Sequence, residues 1–168
     1  KAVKYRNAQL LLINPAKTDL ASFANLHIYP SLGAEINVIN RMIKLIVENN
    51  LADNSFSLQK IEGSDALLDS INKYPMDTIE NISNYSNQKI NELTNLYIKA
   101  SHPIIIFNPA IYSPQYSANL IRTLIILLAL TENNNGIMVL PQENNARGAC
   151  DMGLLPDYLP GYHHISNL

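Results

Sequence analysis

Pro103-Ile104-Ile105-Ile106-Phe107-Asn108-Pro109-Ala110 is the stretch whose reading decides the fold. Four consecutive apolar residues, three of them β-branched, form a buried-strand signal. Asn108-Pro109 closes it, because proline lacks a ladder donor and biases the preceding residue towards extended backbone. The same punctuation occurs near the start, where Leu10-Leu11-Leu12-Ile13 stops at Asn14-Pro15. Strands of this kind, separated by helical periodicity, indicate an α/β layer with a mostly parallel sheet. The expected class is therefore a Rossmann-like layered fold, with Leu10–Ile13 and Ile104–Phe107 in one sheet flanked by helices.

The intervening segments agree. Thr18 to Ala24 reads as a short helix, and Leu26-His27-Ile28-Tyr29 as a short strand ended by Pro30. After the Gly33 turn, Ile36, Ile39, Ile43 and Ile46 recur at helical spacing beside Met42, which predicts a helix from about Ala34 to Asn49. Residues 55–87 read as short helices and loops, with a capping-box spacing at Asp77-Thr78-Ile79-Glu80. Ser86 can cap a helix whose face carries Ile90, Leu93, Tyr97 and Ala100. A long apolar helix is expected over Tyr116 to Thr131, ended by Asn133-Asn134-Asn135-Gly136, with one more short strand at Ile137–Leu140. The chain opens on a strand with no preceding turn, so it reads as a fragment of a larger multidomain subunit. Residues 1–140 form the α/β domain, and residues 141–168 a loop segment leading into the next domain.

Composition narrows the function. The chain has 168 residues, 47% apolar and 15% charged. That balance suits an ordered globular core. A net charge of −2 leaves no electrostatic footprint for nucleic acid or an anionic membrane. One cysteine cannot by itself hold an iron–sulfur cluster, a structural zinc or an internal disulfide. The most apolar run, Leu124 to Leu130, is far short of the ~20 residues that span a bilayer. No signal peptide is recognisable, and a soluble, cytoplasmic chain is expected.

The segment from Asn144 to Tyr162 (Asn144-Asn145-Ala146-Arg147-Gly148-Ala149-Cys150-Asp151-Met152-Gly153, then Leu155-Pro156, then Pro160-Gly161-Tyr162) holds three glycines and two prolines. That density argues for an ordered functional loop, with Gly148 and Gly153 free to take positive φ or to allow close backbone approach. The pattern N-x-x-G-A-x-D-M-G, L-P, P-G-Y resembles the molybdopterin oxidoreductases. It is found in formate dehydrogenase catalytic subunits and in the large iron–sulfur chain of NADH-quinone oxidoreductase.

That resemblance extends over the chain and implies a nucleotide-binding-like fold. The family's D-P-R, A-D-x-H and G-x-D/N elements fall here on Asn14-Pro15-Ala16-Lys17, Ala24-Asn25-Leu26-His27 and Gly33-Ala34-Glu35. By resemblance, Asn14, Lys17, Gly33, Glu35, Asn108, Asn144, Asn145 and Gly148 are the candidate contacts to a molybdopterin guanine dinucleotide. The departures are chemical. Asn14 replaces an acid, Ala16 an arginine, and Asn108-Pro109-Ala110 the glycines that let backbone approach a pyrophosphate. Formate dehydrogenases carry an arginine where this chain has Pro141. The resemblance implies no catalytic residue and no metal ligand in this stretch. The pterin and the iron–sulfur clusters would belong to the parent subunit, whose partners are its own other domains and further subunits of a redox complex.

Each candidate also has a simpler reading. Asn14 and Asn108 serve as turn residues before proline. Glu35 complements a helix dipole, worth roughly 0.3–1 kcal/mol. His27 is a hydrogen-bonded structural residue, Cys150 a buried thiol, and His163-His164 lacks a third ligand at suitable spacing. Three functions follow from the whole. The first is a domain of a subunit most like the NADH-quinone oxidoreductase large chain, with an eroded pterin site. The second is part of a formate dehydrogenase-type catalytic subunit, and the third a non-catalytic packing or interface domain.

Overall fold

The computed structural model describes residues 2–51, 64–73, 87–131 and 136–167. In chain order the elements are α1 (Ala2–Tyr5), β1 (Leu11–Ile13), a 3-10 turn (Asp19–Phe23) and β2 (Leu26–Ile28). Then come α2 (Glu35–Glu48), α3 (Ser64–Lys73), α4 (Asn87–Lys99) and β3 (Ile104–Phe107). The last elements are α5 (Pro114–Leu130), β4 (Gly136–Val139), α6 (Ala146–Asp151), β5 (Tyr158–Leu159) and β6 (His163–His164). The chain is an α/β protein with parallel strand pairs joined through helical connections.

The strands do not share one hydrogen-bonded sheet. β1 pairs in parallel with β2, with Leu12 opposite His27, and β3 pairs in parallel with β4, with Ile105 opposite Ile137. The expectation that Leu10–Ile13 and Ile104–Phe107 lie in one sheet is therefore corrected. Their apolar runs mark them as strands, but a run of that kind carries no partner information. Register needs the other strand.

What unites the two pairs is α2. Val38, Ile39, Met42, Ile43, Leu45 and Ile46 are all buried on it, so apolar contact extends well beyond the single stripe that the isoleucine spacing predicts. It packs against α3, α4 and α5. The core continues through Ile28, Ile90, Leu93, Phe107, Leu120, Leu124, Leu127 and Leu130. Arg41 and Lys44 are buried on the same helix, and both approach Glu48, at 3.7 and 3.9 Å.

Local signals place the helix ends. α5 begins two residues before the expected Tyr116, because Ser113 is an N-cap and Pro114 occupies the first turn. The Ser113 Oγ accepts from the Tyr116 N–H at 3.3 Å. Gly136 does not end that helix. It starts β4 opposite Ile104, where a residue without Cβ sits beside an isoleucine. The Asp77–Glu80 capping box and the Ser86 cap lie outside the described residues.

The glycine-rich segment is more regular than its composition suggests. Six of its residues form α6, followed by the β5–β6 hairpin. Gly148 is inside that helix and does not take positive φ. A Cβ there would meet only the exposed Asn145 carboxamide, a flexible side-chain end that can move aside. Gly153 does take positive φ, at +88°, and a Cβ on it would lie 2.8 Å from the Pro160 ring. Short local bonds close the unit: Leu154 N–H to Ala149 O at 3.1 Å, and Gly161 N–H to Asp151 O at 3.0 Å.

Candidate functional site

The carboxyl ends of parallel strands are where α/β folds place ligands, and Asn14 and Asn108 directly follow two of them. After β1, Asn14 Oδ1 accepts from the Ala16 N–H at 2.9 Å. After β3, Asn108 Oδ1 accepts from the Ala110 N–H at 2.9 Å. Both Asn-Pro-Ala sequences are thus the same device, an asparagine folded back on its own turn. In each, one side-chain acceptor and one backbone donor satisfy one another.

Asn25, at the position of the family's second acid, is also structural. Its Oδ1 accepts from the Leu10 N–H at 2.8 Å and anchors the start of β1. His27 donates from Nε2 to the Asn14 carbonyl at 3.2 Å, and its ring lies 3.6 Å from that of Tyr29 between centroids. Its buried Nδ1 has no hydrogen-bond partner among the described residues. Lys17 lines a shallow cleft of about 490 Å³ with Thr18, Asp19, Ala21, Ser22 and Tyr29.

The feature that sequence reading missed is centred on Glu35. This first residue of α2 is buried, only 4% exposed, and both of its oxygens are engaged. Tyr112 donates to Oε1 at 2.9 Å and Tyr116 to Oε2 at 2.8 Å, while the Gly33 N–H reaches Oε2 at 2.9 Å. The Tyr116 hydroxyl in turn accepts from the Ile36 N–H at 3.3 Å. That bond satisfies an orphan donor of the α2 first turn. Gly33 holds φ of +89°, which turns its N–H towards the carboxylate.

Burial, followed by hydrogen bonding to Glu35 and its charge, pushes the Tyr112 hydroxyl far above the usual phenol range. Burial and the Glu35 bond do the same for Tyr116. The Tyr112 and Tyr116 rings sit 4.8 Å apart and continue to Phe107, whose ring is 6.4 Å from Tyr112. One signal for this cluster was available in the sequence: two tyrosines four residues apart, spanning a Ser-Pro helix start.

Gly33 and Glu35 are therefore brought together, while the other candidates stand apart. Asn144 and Asn145 are exposed, and Asn145 precedes α6 without a side-chain cap bond. Among the described residues, no hydrogen bond links Asn144, Asn145 or Gly148 to Asn14, Lys17, Glu35 or Asn108. Cys150 is a free, half-buried thiol in α6. His164 Nδ1 meets Ser166 Oγ at 2.6 Å, and no group of three metal-ligating side chains forms among the described residues. No helix among them is long and apolar enough to cross a membrane.

Parallel strand pairs, helical connections and the Asn145–Tyr162 run together show the resemblance to the molybdopterin oxidoreductases. The proteins of that class that this chain is similar to include formate dehydrogenases. Formate dehydrogenase H of Escherichia coli (strain K12) is 29% identical over 168 residues, covering 98% of this chain and 24% of the relative. F420-dependent formate dehydrogenase subunit alpha of Methanocaldococcus jannaschii is also 29% identical, over 98% of this chain and 25% of its own length. Acetylene hydratase from Pelobacter acetylenicus shares the fold, with a TM-score of 0.61 at 20% identity, over 76% of this chain and 18% of that one. No family model matches the chain. The chain spans about a quarter of the length of the curated relatives it matches.

Proposed function

We propose that this chain is a domain of a formate dehydrogenase-type redox subunit in which the contacts to a molybdopterin guanine dinucleotide have eroded. Residues 1–140 supply the nucleotide-binding-like scaffold, and residues 141–168 lead into the next domain. The observation that carries this reading is the burial and engagement of Glu35. It is only 4% exposed and its two oxygens already accept three hydrogen bonds, so the acid best placed to receive guanine N–H donors is turned into the protein and keeps a single lone pair, on Oε1.

The rest of the donor set agrees. Pro109 has no N–H, the Ala110 N–H is spent on Asn108, and the Asn14 oxygen is spent on Ala16. A phosphate cradle needs such donors turned outward. These residues do not fit the dinucleotide. Lys17 and the cleft beside it retain a cation and hydroxyls, which could support only a weak phosphate contact. Iron–sulfur clusters, any pterin and the electron-transfer partners belong to the rest of a larger, cytoplasmic complex.

The same closed turns also favour a second reading, a subunit of the NADH-quinone oxidoreductase type, because such a chain transfers electrons through clusters with no need of the pterin. Elemental analysis of the full-length polypeptide tests the erosion common to both. Iron without molybdenum agrees with it, and molybdenum held together with iron would overturn it in favour of a working pterin site.

Two outcomes are expected of the 168-residue chain. Calorimetry with GDP should show binding no tighter than millimolar. An acid-to-guanine contact is worth about 1.5–3 kcal/mol, or roughly ten- to hundredfold in affinity, and the acid in place, Glu35, is buried and engaged by three donors. Micromolar binding that weakens in Glu35→Ala would overturn the eroded-site reading. Formate-dependent dye reduction should not exceed that of a mock preparation, since one cysteine cannot build an electron-transfer relay.

A further inference from the structure

Tyr162, at the β5–β6 turn, holds φ of +61°. A bulky residue adopts that left-handed backbone only where its surroundings impose it. Two bonds do so here: Tyr162 N–H to Leu159 O at 3.1 Å, and Gly161 N–H to Asp151 O at 3.0 Å. The result is a corner of aromatic rings beside a carboxylate. The Tyr162 ring lies 6.3 Å from that of Tyr158 at 65°, and Tyr158 meets His164 edge-on across the hairpin, at 5.1 Å and 89°. The Tyr162 hydroxyl donates to the Asp151 carboxylate, which holds it above the usual phenol range. Tyr158 and Tyr162 remain open to a visitor, 37% and 43% exposed.

This corner already attracts a cation. The Arg147 guanidinium carbon lies 6.0 Å over the Tyr162 ring, and its Nε is 3.6 Å from Asp151 Oδ1. Both separations are long for contacts of their kind, and the Arg147 side chain is 83% exposed, so the resident is loosely held. We propose that the Asp151–Tyr158–Tyr162 corner is a binding site for a guanidinium group, as an arginine side chain of a partner protein carries, and that Arg147 is the internal cation it displaces. A guanidinium is the fitting ligand because its flat fork stacks on a ring face while pairing with a carboxylate, whereas an ammonium is a point charge. None of these residues is a candidate contact to the dinucleotide, so this site and the cofactor reading stand or fall separately.

The probe is N-acetyl-arginine methylamide, titrated into the protein with isotope-labelled tyrosine rings and followed by NMR. The Tyr158 and Tyr162 signals, assigned through Tyr158→Phe and Tyr162→Phe, should shift together and saturate. The corresponding citrulline amide, of the same shape without the charge, should leave them in place at equal concentration, and the lysine amide should bind more weakly. Arg147→Ala removes the competitor and should tighten arginine binding about two- to fivefold, the factor set by one exposed cation–π contact. Asp151→Asn should weaken it by about the same factor. The Tyr112 and Tyr116 signals, far from the corner in the chain, report that each variant is folded. Equal shifts from the citrulline amide would overturn the proposal. So would unchanged affinity in Arg147→Ala, because the resident contact would then be no competitor for the site. Shifts that arise on concentrating the protein without any probe would overturn it too, since Arg147 of a second copy would be the occupant.

Discussion

Glu35→Ala is expected to lower the stability of the folded chain by about 3 kcal/mol, roughly a hundredfold in the folding equilibrium. The substitution leaves the Tyr112 and Tyr116 hydroxyls and the Gly33 N–H without their acceptor. A buried donor left unmatched costs about 1–3 kcal/mol. The sum is held to the lower part of that range because both tyrosines are half-buried and water can reach them. Glu35→Gln keeps one acceptor oxygen and should lose roughly half as much. A urea midpoint for Glu35→Ala equal to wild type would show that the cluster contributes nothing to the fold.

The same cluster predicts a response to alkali. Both hydroxyls have folded pKa values above their unfolded value near 10, so the protonated form is favoured by folding. A raised folded pKa gives stability that is fully present below the unfolded pKa and lost as pH climbs through the folded one. Stability should hold to about pH 10 and then fall, by at most about 1.4 kcal/mol per pH unit for each tyrosine. Tyr97, also raised by burial, adds to the fall in any variant. The Tyr112→Phe, Tyr116→Phe double variant should be less stable at neutral pH and flatter above pH 10. An unchanged alkaline slope in that variant would assign the effect elsewhere.

Ile46→Ala should have an effect of similar or larger size, about 2–5 kcal/mol. Ile46 is fully buried on the helix that the rest of the core packs around. Removing its methyl groups leaves a cavity that α3, α4 and α5 cannot all move to fill. Denaturant unfolding followed by circular dichroism measures it. A loss under about 1 kcal/mol would mean that α2 is not the central packing element. Thermal unfolding would show the same variant several degrees lower, since about 1 kcal/mol shifts a domain of this size by roughly 2–8 °C.

Much of this was legible from residues in a row. Asn-Pro after an apolar run gives a strand end, because the ring chemistry of proline acts on its immediate neighbours. Isoleucines spaced as on α2 give a helix, and Ser113-Pro114 gives a helix start, for equally local reasons. The turn role of Asn14 and Asn108 belongs here too, since each carboxamide reaches only two residues ahead. The run at Asn145–Tyr162 carried the family resemblance because residue order alone defines it, although the α6 helix inside it was hidden by glycines that usually break helices.

What the sequence by itself determined, then, is the α/β class, the position of most strands and helices, and the resemblance to molybdopterin oxidoreductases. Only the tertiary structure decided that β1 joins β2 while β3 joins β4 in a separate sheet, because an apolar run marks a strand without naming its partner. Only the tertiary structure could likewise turn Glu35 from a candidate ligand contact into the centre of a cluster. Its partners Tyr112 and Tyr116 lie 77 and 81 residues away, and they meet it because α2 and α5 pack together. The chemistry of a carboxylate is fixed by its side chain, but whether its oxygens are free or spent is fixed by what the fold brings within hydrogen-bond reach.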